Sequence, residues 1–108
     1  MLQESFVDLG HDLFVAETRE KIVGFVETQI FPDLVEGFPI AIIRNLVVDE
    51  ENRRKGVGNK LLAYAIEKLK EIGVKELHTW TEFENEPAVR LYLRHRFIRR
   101  GLLLEKEI

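Results

Sequence analysis

Residues 40–58 read Ile-Ala-Ile-Ile-Arg-Asn-Leu-Val-Val-Asp-Glu-Glu-Asn-Arg-Arg-Lys-Gly-Val-Gly. Ile40 to Val48 is apolar on both alternating faces, which predicts a central strand. Asp49 to Arg54 is a charged connection. From Val57 the apolar positions Val57, Leu61, Leu62, Ala65, Ile66, Leu69 and Ile72 form one helical stripe, which Gly73 closes. A strand therefore feeds a helix through the basic glycine loop Arg53-Arg54-Lys55-Gly56-Val57-Gly58. The first turn of a helix has N–H groups without intrahelical partners and the positive end of the macrodipole, so bare glycine backbone there can approach an anion closely. Three cations beside it add neutralising charge.

Two familiar phosphate loops do not fit. A Walker A loop needs Lys-Ser or Lys-Thr after its last glycine, whereas Asn59 and Lys60 follow Gly58. A dinucleotide fingerprint needs a third glycine where this chain has Leu61.

Working outward, Asp12 to Thr18 and Ile22 to Ile30 are rich in β-branched and aromatic residues, and Arg19-Glu20-Lys21 between them predicts a hairpin turn. Phe31 to Pro39, with two prolines and Gly37, predicts a loop. Downstream, Glu76 to Thr81 predicts a short strand. Pro87 opens a second helix running to about His95, where its missing N–H costs nothing, and Phe97 to Leu104 predicts a last strand. The order is strand, strand, strand, helix, strand, helix, strand. Hairpins followed by a strand-helix-strand crossover imply an α/β (α+β) domain with a mixed, mostly antiparallel sheet.

At 108 residues this is one domain, spanning residues 1–108. No apolar run is long enough to cross a bilayer, and Met1 to Ser5 lacks a basic-then-apolar leader pattern, so a cytoplasmic protein is expected. Zero cysteines exclude disulfides, thiolate metal sites and a cysteine nucleophile. His11, His78 and His95 are too dispersed to suggest zinc, and no metal is expected. The net charge of −3 hides a division: residues 1–51 hold three Lys/Arg against eleven Asp/Glu, and residues 52–108 hold thirteen against eight. The basic half contains the glycine loop, which suits an anionic ligand there and a neutral or cationic one on the acidic side.

Loop and element order together resemble the GNAT superfamily of acetyl-coenzyme A dependent N-acetyltransferases over roughly residues 12–104. Arg53, Gly56 and Gly58 fill the family's Gln/Arg-x-x-Gly-x-Gly/Ala loop. Leu46-Val47-Val48-Asp49 resembles its central strand end, and Leu61-Leu62 the helix that follows. Asn85-Glu86-Pro87-Ala88-Val89-Arg90-Leu91-Tyr92 resembles its second signature, Asn-x-x-Ala-x-x-Leu-Tyr. Gly58 and Asn85 lie 27 residues apart with helix and strand between.

The resemblance implies helices on both sides of the sheet and an N-terminally shortened form, since only Met1 to His11 precede the first hairpin. It implies acetyl-coenzyme A as cofactor and an amine as acceptor; from the residues themselves no nucleic acid or membrane partner is expected. Backbone amides from Arg54 to Gly58, extending to Asn59, would hold the pyrophosphate, with charge from Arg53, Arg54 and Lys55. Leu46, Val47 and Val48 would pair with pantetheine as an added strand does. The Leu46 amide would stabilise the oxyanion, an effect commonly worth about 3 kcal/mol. Asn85 would either bond the pantetheine arm or cap the second helix. Tyr92 would protonate the departing thiolate.

Departures from the family pattern accompany these roles. The two common positions for the general base hold Ile42 and Trp80, leaving Glu82, Glu27, His78 or ordered water. Arg96 stands where the family has a helix-terminating glycine, so a different helix end is expected. The acceptor side is expected to lie open to a large substrate or to be completed by a second protomer of a homodimer. A non-catalytic acyl-coenzyme A binding or regulatory module is the alternative. A third reading is nucleic-acid binding through Arg90, Arg94, Arg96, Arg99 and Arg100, but this run straddles a helix and a strand with little aromatic interleaving, which favours a solvated basic face.

Overall fold

The computed structural model describes residues 3–19, 21–32 and 37–108. Strands β1 (Ser5–Asp8), β2 (Leu13–Glu17), β3 (Ile22–Pro32) and β4 (Pro39–Val48) form an antiparallel meander. A 3-10 turn (Glu50–Asn52) leads to α1 (Val57–Glu71), which crosses over to β5 (Glu76–His78), parallel to β4. Helix α2 (Glu86–Arg94) follows. The sheet order is β1-β2-β3-β4-β5, so the expected mixed, mostly antiparallel architecture is observed.

One face of the meander carries Phe14, Ala16, Val26, Ala41 and Ile43, and α1 seals it with Val57, Leu61, Leu62, Ala65 and Leu69. The 3.6-residue stripe thus lies against the two-residue alternation of the strands. Both α1 and α2 join this cluster, α2 through Tyr92, Leu91 and Ala88. The other face of β2 and β3 bears a shallow depression of about 290 Å³ lined by Leu13, Val15, Ile22, Phe25 and Glu27, all strand residues.

Strand β1 was not anticipated. Four residues beside a glycine turn carry too little periodicity to read, yet Phe6 packs its ring on Tyr64 of α1 at 5.6 Å, and all of β1 pairs with β2. The expected strand at Phe97 to Leu104 does not form: residues 97–108 have no regular structure. Ile98, Leu102, Leu103 and Leu104 are exposed. Strand propensity needs a partner edge, and β5, at three residues rather than the six expected to Thr81, offers little edge to pair with. Glu20 in the expected turn, residues 33–36 of the expected loop, and Met1 and Leu2 lie outside the described residues.

The different helix end expected from Arg96 is not what α2 adopts. Arg96 itself takes the left-handed conformation at φ 68°, its N–H bonds to Leu93 O at 3.0 Å, and the Phe97 N–H reaches Tyr92 O at 3.1 Å. The rings of Tyr92 and Phe97, 5.2 Å apart, supply the accompanying apolar contact of a Schellman motif. Because a side chain at positive φ costs about 1 kcal/mol, Arg96→Gly should raise the unfolding free energy by roughly that amount. Urea titration measures it.

Candidate active site

Strand β5 accompanies β4 only from Ile40 to Ile42, and β4 then continues to Val48 with its far edge open among the described residues. Which backbone groups face this gap follows from the ladder. Asp49 N–H bonds to Val23 O at 2.8 Å, which makes Val48 and Gly24 a non-hydrogen-bonded pair. The N–H and C=O of Val48, and by alternation those of Leu46, therefore point away from β3 into the gap. Val47 O instead lies on the β3 side, 3.0 Å from where a Gly24 Cβ would sit. Of the three strand-end residues named from sequence, Leu46 and Val48 offer main-chain groups to a ligand in the gap.

A β-bulge sets this phase. The register shifts between Glu27 and Thr28, so that Arg44 is the extra residue on β4 between Ile43 and Asn45. Ile43 and Leu46 consequently both direct main-chain groups into the gap, although they are an odd number apart. The Ile43 carbonyl accepts from Thr79 Oγ1 at 3.5 Å. Nothing in the residue pattern signalled the bulge or the role of Thr79.

At the open end, Arg53 donates from Nε to Val48 O at 3.1 Å, tying the glycine loop to the strand. Arg54 takes φ 64° and Gly56 φ 81°, and α1 begins with no side-chain cap and no acidic residue in its first turn. The Lys60 N–H makes the first intrahelical bond, to Gly56 O at 3.0 Å. The N–H groups of Val57, Gly58 and Asn59 thus have no hydrogen-bond partner among the described residues, at a positive helix end. Lys21 pairs with Asp49 at 2.9 Å and with Glu51 at 3.5 Å, which restrains the neighbouring acidic charge. That hydrogen bond lowers the Asp49 pKa. Arg54 and Lys55 have no ion pair among the described residues.

Helix α2 brings the second signature to the same place. Leu91 lies 3.8 Å from where a Gly58 Cβ would sit, and His95 Nε2 bonds Asn59 Oδ1 at 2.6 Å, so Nε2–H is the donor. Asn85 caps α2: its Oδ1 accepts from the Ala88 N–H at 3.3 Å. Tyr92 is 8% exposed, and its hydroxyl lies beside Thr79 at the closed end of the gap. Burial raises its pKa, so it remains a neutral phenol at pH 7.

The His95 contact has a pH signature. Burial, then Arg94, lowers the His95 pKa below 6.5, so the unfolded chain takes up its proton first as the solution is acidified. Stability should hold above pH 6.5 and fall as the pH drops through the folded value. Urea midpoints at pH 7.5 and 5.5 measure the slope, which His95→Gln should reduce.

The three candidate bases are dispersed. Glu82 is exposed on the segment between β5 and α2, and its carbonyl accepts the Asn85 N–H at 3.0 Å. His78 Nε2 lies 2.9 Å from Glu76 Oε1. Glu27 stands opposite Asn45 at the bulge and accepts from its Nδ2 at 2.6 Å. No metal-binding group of three or more His, Cys, Asp or Glu occurs among the described residues. No helix among them is long and apolar enough to cross a membrane.

A strand parted from its neighbour beside an uncapped, glycine-led helix is the feature on which a family comparison turns. The acetyltransferase (GNAT) family model matches residues 2–97. The chain belongs to the GNAT acetyltransferase family. An uncharacterized N-acetyltransferase of Methanocaldococcus jannaschii is 34% identical over 82 residues, which are 75% of this chain and 36% of that protein. The mycothiol acetyltransferase of Thermomonospora curvata is 30% identical over 80 residues, 74% of this chain and 25% of that protein. This GNAT chain therefore spans about a third and a quarter of the lengths of those relatives. A solved protein of Pyrococcus furiosus, assigned as an acetyl transferase, superposes with a TM-score of 0.77 at 36% identity, over 89% of this chain and 64% of that one.

Proposed function

We propose that this GNAT domain is an acetyl-coenzyme A dependent N-acetyltransferase in which a primary amine attacks the thioester directly. The observation that carries this reading is the gap itself. It is lined by the Leu46 and Val48 main chain, opens at one end on the free amides of α1 and closes at the other on Thr79 and Tyr92. Acetyl-coenzyme A would bring an activated acyl group and a thiol leaving group.

The chain's residues then have separable tasks. The Val57 to Asn59 amides, with Arg54 and Lys55, bind diphosphate at the helix end. Arg53 holds the loop to the strand. Leu46 and Val48 pair with an amide-bearing arm as a neighbouring strand does, and the Leu46 N–H meets the carbonyl oxygen as it gains charge. Tyr92 gives its proton to the departing sulfur. Asn85 supports this as the cap that starts α2 in register. The acceptor, whether a protein N-terminus, a lysine or a small amine, approaches from the sheet face away from α1. The domain works in the cytoplasm, without nucleic acid or membrane, as a monomer or as a homodimer completing the acceptor side.

Calorimetry of the folded protein with coenzyme A and acetyl-coenzyme A, followed by thiol release over a panel of amines, tests the proposal. Binding with acetylation of an amine is the expected result. No heat with either ligand overturns it, and binding without turnover on any amine leaves a non-catalytic acyl-coenzyme A module. That alternative draws on Ile42 and Trp80 standing at the two positions where the resemblance implies a base.

A further inference from the structure

A bulge does more than rephase a strand: it puts two successive side chains on one face. Arg44 and Asn45 both lie on the face away from α1, Arg44 donating to Gln29 Oε1 at 3.4 Å and Asn45 to Glu27 Oε1 at 2.6 Å. Around them is a cleft of about 590 Å³ lined by Asp12, Glu27, Gln29, Arg44, Asn45 and Trp80, together with Thr28. Strands β3 and β4 form one wall. Trp80, 52% exposed, comes from beyond β5 and forms the other, so the cleft spans the mouth of the gap. Leu46, whose N–H faces that gap, is the next residue after Asn45.

We infer that Glu27 is the proton acceptor for the acceptor amine, and that this cleft takes a small primary amine as its ammonium ion. The inference rests on the acetyltransferase reading of the gap. Two features select a cation. Glu27 and Asp12 outnumber Arg44, whose guanidinium is engaged by Gln29. The exposed indole face of Trp80 attracts an ammonium within about 6 Å of its ring. Asn45 donates to one Glu27 oxygen and leaves the other for the substrate, so its amide aims the carboxylate. Glu27 lies across β4 from the gap, two strand spacings or about 10 Å laterally between backbones; Asn45 draws its carboxylate toward β4, so it meets an amine that lies over β4, directly or through one water.

The step balances. Glu27 takes one proton from the ammonium, and the freed lone pair forms the C–N bond to the thioester carbonyl. The C–S bond breaks, sulfur leaves with its electron pair, and Tyr92 supplies its proton. The resulting phenolate is reprotonated by the second ammonium proton. Glu27 then returns its proton to water, so the net products are the amide, the thiol and one released proton.

Trp80 is the only tryptophan in the chain, so its fluorescence reports on the cleft without any need for turnover. Lysinamide, a small amine without a carboxylate, is the probe. It should quench Trp80 emission saturably in the wild type. Glu27→Gln should weaken that binding about tenfold and lower turnover at least 100-fold, while heat with coenzyme A stays unchanged. Saturable lysinamide binding or acetylation without a Trp80 response overturns the inference, as does wild-type turnover in Glu27→Gln or loss of turnover confined to Glu82→Gln. An absence of lysinamide binding, with coenzyme A bound normally, also overturns it. Loss of coenzyme A heat in the wild type sinks the acetyltransferase reading instead, and the quenching result then stands by itself.

Discussion

Gly56→Glu should lower coenzyme A affinity by at least 100-fold, about 2.7 kcal/mol, in a protein that still folds. Two effects combine. At φ 81° a side chain costs about 1 kcal/mol of backbone strain. A carboxylate set at the start of α1 then competes for the free amides of Val57 to Asn59 and repels a diphosphate. Gly56→Ala separates the two. Nothing lies within 4 Å of a Cβ built at Gly56, so alanine introduces the strain without a clash or a charge. The alanine variant should lose stability by about 1 kcal/mol and keep most of its affinity. Wild-type calorimetry in a folded Gly56→Glu protein would place the phosphate site elsewhere.

Removing the Tyr92 hydroxyl should reduce turnover about 100-fold, at the lower end of what a positioned general acid contributes, and leave coenzyme A affinity within about threefold. Tyr92→Phe keeps the ring that packs 5.2 Å from Phe97 and belongs to the core cluster, so the fold has no reason to change. What disappears is a neutral phenol beside Thr79. The raised pKa keeps that proton in place at pH 7, available when a thiolate departs. Thiol-release kinetics under conditions where the chemical step limits turnover decide the matter. An unaltered rate there removes Tyr92 from proton transfer.

Legibility from sequence followed the strength of local periodicity. The α1 stripe, Gly73, Pro87 and the two motifs could be read because each depends on near neighbours. Gly73 takes φ 93° and the Val74 N–H bonds Leu69 O at 3.1 Å, as a terminating glycine should. Strand β1 was missed because Phe6 acquires its meaning from Tyr64, far along the chain. The strand expected at Phe97 to Leu104 was read from composition, which cannot supply a partner edge. Arg96 misled for a different reason: Phe97 packing on Tyr92 sustains a left-handed residue that propensity disfavours.

The candidate site could be placed from its motifs, but its phase could not be read from them. Leu46 could be named, but the direction of its N–H depends on whether an odd or even number of residues separates it from Ile43, and the bulge at Arg44 decides that. The same extra residue turns Asn45 toward Glu27. Thr79 bonds the Ile43 carbonyl and neighbours Tyr92 from a segment with no motif at all.

The brevity of β5 has a mechanical meaning. Three residue pairs fasten it to β4, against nine between β3 and β4, so the molecule is stitched unevenly. Thermal breathing should begin at that seam, swinging β5 with the Thr79–Asn85 segment while the meander and its helix stay shut. That part would carry Trp80 and the Thr79 beside Tyr92, so on the proposed reading entry of a long cofactor arm and readiness for reaction would be governed by the same few hydrogen bonds.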